Sequence, residues 1–148
     1  MPPSWPPGEY DRAAQEFFLA RLEEAGPAGV GWYGWYAIQA ADSERPATVV
    51  GGCGYHGPPT PAGVVEVGFS VCPEWRGQGF ATEMAHALAA RAAGLPGTTR
   101  VIAHTSEGNH ASIAVLRRSG FVHVGPGADE GSLQFEWPVG GAVPEDSR

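Results

Sequence analysis

Six consecutive residues carry the clearest chemical pattern in the chain: Arg76-Gly77-Gln78-Gly79-Phe80-Ala81. They follow an apolar alternating stretch and open a helical one. Glycines let a backbone approach a ligand closely, and successive N–H groups at a helix N-terminus form a seat for an anion. The pattern is not a P-loop, because the lysine of G-x-x-x-x-G-K-[ST] is missing. The residues alone leave two readings open, a phosphate seat and an ordinary strand-to-helix turn. A second glycine pattern, Gly52-Cys53-Gly54-Tyr55-His56-Gly57, fits the dinucleotide fingerprint letter for letter. That fingerprint has to open a helix. Pro58-Pro59 follows instead, so these glycines are expected in a strand and a turn. Cys72 has no His/Asp pair at a nucleophile's spacing and is read as a buried thiol. The five histidines, at 56, 86, 104, 110 and 123, show no ligand spacing, so no metal is expected.

The elements that must position these residues can be placed by period and punctuation. Val64–Cys72 alternates as a strand. Val65, Val67, Phe69 and Val71 form an apolar face for the core, and Val64, Glu66, Gly68, Ser70 and Cys72 form a small, polar face suited to a cleft wall. Pro73-Glu74-Trp75-Arg76-Gly77 breaks the strand. Phe80, Met84 and Leu88 recur at helical spacing, so a helix is expected from Phe80 to Ala93, ended by Gly94. Thr99–Thr105 reads as a buried strand. Asn109 can cap a short helix running to Ser119, with Gly120 beyond its C-cap. Phe121–Gly125 and Ser132–Trp137 form a closing hairpin.

Upstream, residues 1–9 are a Pro-rich arm, and Asp11 to Ala25 is an amphipathic helix stopped by Gly26-Pro27. Gly31–Ile38 and Ala47–Tyr55 are strands, the first rich in aromatics. Trp32, Trp35 and Tyr36 are read mainly as core, with room for one to line a cleft. The tail from Gly140 is loose. One domain therefore spans 10–139, with an arm at 1–9 and a tail at 140–148. The order of elements gives a mixed α/β layer.

Composition narrows the class. The 148 residues are 43% hydrophobic and 17% charged, which suits one folded domain. No apolar run approaches the 18 residues of a membrane span, and the N-terminus lacks the regions of a signal peptide. Two cysteines make no disulfide framework, so a reduced, cytoplasmic protein is expected. The net charge is −7, and all nine basic side chains are arginine. No basic stripe for nucleic acid is visible. A cationic contact to phosphate must come from Arg, His, a helix dipole or backbone N–H groups.

Two blocks carry a family resemblance. Val65 through Glu83, with the core Arg76-Gly77-Gln78-Gly79-Phe80-Ala81, resembles the acetyl-CoA signature [QR]-x-x-G-x-[GA] of the GNAT superfamily. Asn109-His110-Ala111-Ser112, followed by Val115-Leu116-Arg117-Arg118-Ser119-Gly120-Phe121, resembles its second block. The likeness covers about residues 47–137 and is nearest to the branch that acetylates N-terminal amines of ribosomal proteins. It implies a central mixed, mostly antiparallel sheet flanked by helices, and acetyl transfer from acetyl-CoA to a primary amine by direct attack. The acceptor would be a small molecule or a protein N-terminus.

The same resemblance implies roles. Backbone groups of Val71 and Cys72 would bond the pantetheine arm. Amides of Gln78, Gly79, Ala81 and Thr82, with Gly77, Phe80 and the Arg76 side chain alongside, would cradle the pyrophosphate. Asn109 and Ser112 would meet the pantetheine or the thiol. Glu66 is the candidate base, because an ammonium must lose a proton before it attacks a thioester. A regular strand sets Glu66 and Cys72 on one face about 20 Å apart, so Glu66 would reach the amine through the acceptor or through water. Two departures stand out. Many family members carry a tyrosine as general acid where this chain has Leu116, which makes Ser112 the candidate acid. The family's usual first strand has no counterpart before Asp11, so it is absent or lies outside this stretch. That leaves the aromatic strand near Gly31–Ile38 as a candidate edge for a homodimer. The alternative function is a non-catalytic acyl-CoA-binding or regulatory module with a degenerate acceptor site.

Overall fold

The computed structural model of the chain describes residues 16, 19, 20, 23, 24, 26–29, 32 and 34–139. Six strands and two helices of eight residues or more follow in order: β1 (Gly34–Gln39), β2 (Thr48–Tyr55), β3 (Val64–Val71), α1 (Phe80–Ala93), β4 (Arg100–Ser106), α2 (His110–Arg118), β5 (Val122–Pro126) and β6 (Ser132–Trp137). Residues 16, 19, 20, 23 and 24 are helical, at positions inside the expected first helix. The Pro-rich arm, the rest of that helix, the question of an earlier strand and the tail lie outside the described residues. No described helix is long and apolar enough to cross a membrane.

The sheet runs β1-β2-β3-β4-β6-β5. Every neighbouring pair is antiparallel except β3 and β4, which are parallel. A parallel step needs a crossover, and α1 supplies it. The result is the mixed, mostly antiparallel sheet with helices that the sequence implies. The parallel ladder is short: Val64 pairs with Arg100, Val65 with Val101 and Glu66 with Ile102. Beyond Glu66, β3 keeps its partner β2 as far as Val71, while β4 follows β6 as far as Ser106. The two central strands therefore part, and a cleft opens between them.

The core explains why the chain folds this way. Val65 and Val67 of β3, Val101 and Ala103 of β4 and Phe135 of β6 meet Ala85, Leu88, Ala89 and Ala92 of α1 and Leu116 of α2. Small alanines let α1 lie close on the sheet. Burying Leu88 or Leu116 contributes roughly 1.5–3 kcal/mol each. Tyr55 is fully buried, and its hydroxyl donates to the Leu88 carbonyl at 2.6 Å. The Gly52–Gly57 pattern lies in β2 and the turn after it, and opens no helix.

Three element readings need correction. β3 ends at Val71, and Cys72 begins a short 3-10 turn, Pro73–Trp75. Phe69 is half-buried rather than closed in the core, because the parting of the strands leaves it facing the cleft. β4 is not buried throughout; its burial alternates, with Val101 and Ala103 inside and Arg100 and Ser106 outside.

Candidate active site

The loop before α1 is built from two glycines in left-handed conformations. Gly77 has φ of 77° and Gly79 has φ of 88°. A β-carbon at either position would meet no atom within 4 Å, so the space above the backbone is open. Gly79 is the N-cap of α1, and its carbonyl accepts the first helical bond, from Glu83, at 3.0 Å. The N–H groups of the first turn thus have no partner inside the helix. Gly77, Gly79, Phe80, Ala81 and Thr82 line one cavity, of about 480 Å³, together with Arg76 and Arg118. Gln78 is exposed and stands outside that lining. The Arg76 Nε donates to the Val71 carbonyl at 3.0 Å, which pins the guanidinium to the end of β3. A helix N-terminus with free N–H groups and two arginines on the cavity wall is an arrangement able to hold an anion such as a phosphate.

The strand edge above this cavity has a fixed parity. His56 N–H donates to the Glu66 carbonyl and Cys72 N–H to the Val50 carbonyl, at 2.9 and 2.8 Å. With the β2–β3 register between them, the even-numbered residues of β3 turn their backbone groups to β2. Those of Val67, Phe69 and Val71 turn toward the cleft, with the Val71 carbonyl already taken by Arg76 Nε. The expectation for Cys72 is therefore corrected. Its N–H is spent on Val50, its carbonyl accepts from Trp75 N–H at 2.9 Å, and its side chain is fully buried. Phe69, which sequence reasoning left in the core, turns its backbone groups the same way as Val71. No motif marks it, because backbone groups are read by register rather than by side chain.

A second cavity, of about 610 Å³, lies between the parted strands. Glu66, Gly68 and Ser70 of β3, His104 and Ser106 of β4, and His56 after β2 line it. Glu66 Oε2 lies 3.1 Å from Nδ1 of His56 and 3.1 Å from Nδ1 of His104. Burial pushes the Glu66 carboxyl up, but the hydrogen bonds and charge of His56, and then of His104, outweigh it and hold the pKa below the usual value. The hydrogen bond from Glu66 raises the His56 pKa against the opposing effect of burial. Cys53, also on this wall, is pushed up to about 11 by burial, so its thiol stays neutral. Among the described residues no cluster suited to a metal is present, and these three side chains face one another through hydrogen bonds. Sequence reasoning found Glu66 but neither histidine. Trp32 packs on Tyr55 at 5.2 Å, and Trp35 and Tyr36 line a separate cavity between β1 and α1, so none of the three aromatics lines this cleft.

The two cavities share a wall made of Phe69, Ser70, Asn109 and Ser112. Asn109 caps α2 as its side chain accepts from Ser112 N–H at 3.1 Å. The other end closes with paired bonds, Phe121 N–H to the Leu116 carbonyl at 2.9 Å and Gly120 N–H to the Arg117 carbonyl at 3.1 Å. Gly120, at φ of 107°, permits that turn. The capped helix holds Ser112 in its first turn, where the dipole favours negative charge. Leu116 is 1% exposed and lines neither cavity.

The cluster should shape stability as well as chemistry. The Glu66 contribution is complete above 4.5, the carboxyl's ordinary value, and is lost as pH falls through its lower folded value. The His56 contribution is complete below 6.5 and is lost as pH rises through its raised folded value. The difference in melting temperature between wild type and Glu66→Gln should therefore be largest between those limits. A difference that stays flat from about pH 4 to 8 would mean that the contacts contribute nothing to folding.

A family model described as an acetyltransferase (GNAT) domain matches residues 2–122. The comparison with curated proteins gives no match. Among solved structures, an acetyltransferase from Agrobacterium tumefaciens superposes with a TM-score of 0.65 at 24% identity, covering 88% of this chain and 74% of that one. A spermidine N-acetyltransferase from Vibrio cholerae gives 0.61 at 13%, covering 80% and 71%. A ribosomal L7/L12 alpha-N-protein acetyltransferase in complex with coenzyme A gives 0.54 at 20%, covering 62% of this chain and 56% of that one. The chain thus spans little more than half the length of that last protein. At these identities the likeness is one of fold.

Proposed function

The chain belongs to the GNAT acetyltransferase family, and we propose that it transfers the acetyl group of acetyl-CoA to a primary amine by direct attack while both are bound. The observation that supports this most is the shared wall: a diphosphate cradle and a cleft with a carboxylate meet at Phe69, Ser70, Asn109 and Ser112. The open left-handed glycines and the Arg76 and Arg118 side chains fit the pyrophosphate of coenzyme A. The backbone edge of Phe69 and Val71 fits its pantetheine arm, which pairs with a sheet edge as an added strand does. The thioester then arrives at Ser112.

The Glu66 cluster takes up the proton of the amine. Nitrogen attacks the carbonyl carbon, the N–C bond forms and the C–S bond breaks. The thiolate leaves toward the first turn of α2 and takes a proton through the Ser112 hydroxyl. The net charge of −7 steers cations toward the molecule. Among the described residues lining the cleft, Glu66 is the one carboxylate and is already held by two imidazoles. That composition suits an acceptor with a single ammonium, small molecule or protein N-terminus, better than a polyamine.

Acetyl-CoA at about 100 times its dissociation constant should stabilise the fold by about 2.7 kcal/mol. A thermal shift measured against NAD and ATP controls checks this, and no shift with millimolar acetyl-CoA would remove the central claim. Thiol release on addition of amines then separates an enzyme from a module that only binds acyl-CoA.

A further inference from the structure

We propose that His56, through its Nε2 atom, is the group that accepts the proton from the acceptor amine, and that Glu66 is the residue that positions it. This rests on the acetyl-transfer reading and assigns within it an atom that the carboxylate alone would otherwise have to provide.

The geometry separates the two histidines. Both point Nδ1 at the same carboxylate oxygen of Glu66, each at 3.1 Å. An ionised carboxylate only accepts, so each Nδ1 carries hydrogen. The second nitrogen of His104 is covered by the side-chain amide of Gln134 on β6, 3.3 Å from its Oε1. With hydrogen on Nδ1 it accepts from that amide once the NH2 group is turned toward it. The second nitrogen of His56 has no hydrogen-bond partner among the described residues. It lies over Gly68, where a β-carbon would sit 3.4 Å away, on the wall of the cleft. The His56 side chain is 54% exposed against 24% for Glu66, so it is the more accessible of the two to an incoming amine. With hydrogen fixed on Nδ1, the lone pair of Nε2 is the free base.

Glu66 is poorly placed to be that base. Its Oε2 already receives two hydrogen bonds, and they hold its pKa down. A weaker base transfers the proton less effectively near neutrality. What Glu66 does well is fix the tautomer and ring plane of His56 and stabilise the imidazolium that forms when Nε2 takes the proton, the part a buried carboxylate plays beside a catalytic histidine. His104 and Gln134 hold the carboxylate from the β4 side. Around the cleft the titratable groups among the described residues are Cys53, His56, Glu66 and His104, and Cys53 stays neutral.

The protons balance. An ammonium R–NH3+ gives one proton to His56 Nε2, which passes it to solvent. The resulting amine attacks, the N–C bond forms and the C–S bond breaks. The second N–H proton ends on the thiolate by way of Ser112. One proton is released per acetyl group moved.

Proton NMR of the His56 ring gives a test that does not need turnover. In the wild type His56 should titrate above the ordinary histidine value, and in Glu66→Gln it should titrate lower. An unchanged titration overturns the positioning role. With an accepted amine, His56→Gln should lower kcat/KM near neutrality by about 100- to 10,000-fold. It should also replace the acidic limb of the pH profile, set by the imidazole, with a rise at higher pH that follows the amine's own ionisation. Acetyl-CoA binding should stay intact. Glu66→Gln should keep that limb but move it to lower pH with the imidazole. If His56→Gln keeps the wild-type limb while Glu66→Gln loses it, the carboxylate is the base and the proposal falls. If the wild type moves acetyl to no amine, the transferase reading fails and the proton role falls with it. The NMR result would still report separately whether Glu66 sets the state of His56.

Discussion

Gly79→Asp should lose acetyl-CoA affinity by about 100-fold while remaining folded. The residue caps α1 at φ of 88°, and the first-turn residues that follow it, Phe80, Ala81 and Thr82, line the cavity. A carboxylate here would face the bound diphosphate. Two charges at 4 Å with an effective dielectric near 20 repel by about 4 kcal/mol, or roughly a thousandfold. The loop is exposed, so screening reduces this to about two powers of ten. The left-handed backbone adds about 1–2 kcal/mol of strain for any side chain, which a domain of ordinary stability tolerates. Gly79→Ala carries the same strain without the charge and should lose affinity far less. Calorimetry on both variants, with circular dichroism as the check on folding, decides the matter. Equal affinity in the folded Asp variant would mean that the loop is an ordinary turn.

Ser112→Ala should slow transfer by about 100-fold or more at every pH below that of the thiol's own ionisation, with coenzyme A affinity nearly unchanged. The bond that places this residue is made by its backbone, from Ser112 N–H to Asn109 Oδ1, and it survives the substitution. Only the hydroxyl at the wall between the two cavities is lost. Asn109→Ala should behave differently. It removes the cap, costs about 1 kcal/mol of stability and lets that wall shift, so affinity and rate fall together. A thiol-release assay beside direct binding measurements separates the two patterns. A normal rate in Ser112→Ala would assign thiolate protonation to water.

Several features were legible in the sequence because they are local. Period and capping placed α1 from Phe80 to Ala93 and α2 after Asn109, and both hold. The glycines of the loop had to be glycines, since Gly77 and Gly79 take conformations that a side chain resists. Pro58-Pro59 correctly kept Gly52–Gly57 from being read as a nucleotide loop. The alternation in Val64–Val71 identified the strand and put Glu66 on the polar face. It could not say where the strand ends, since Cys72 continues the alternation but belongs to the next turn.

The rest depended on pairing between distant segments. That Phe69 and Val71, rather than Cys72, offer backbone groups to the cleft follows from which residues of β3 face β2, and one step of register would have reversed it. His56 meets Glu66 because the two are opposite one another across the β2–β3 turn, with His56 N–H bonded to the Glu66 carbonyl. His104 joins them only because β4 runs parallel to β3 and then leaves it after Ile102. Side chains 38 and 48 residues from the nearest and farthest of these partners leave no periodic trace. The sequence by itself determined the elements, the open glycine loop and the carboxylate. The tertiary structure decided that β3 and β4 part, because each keeps a different antiparallel partner, and that parting gathered two histidines around the carboxylate in the cleft.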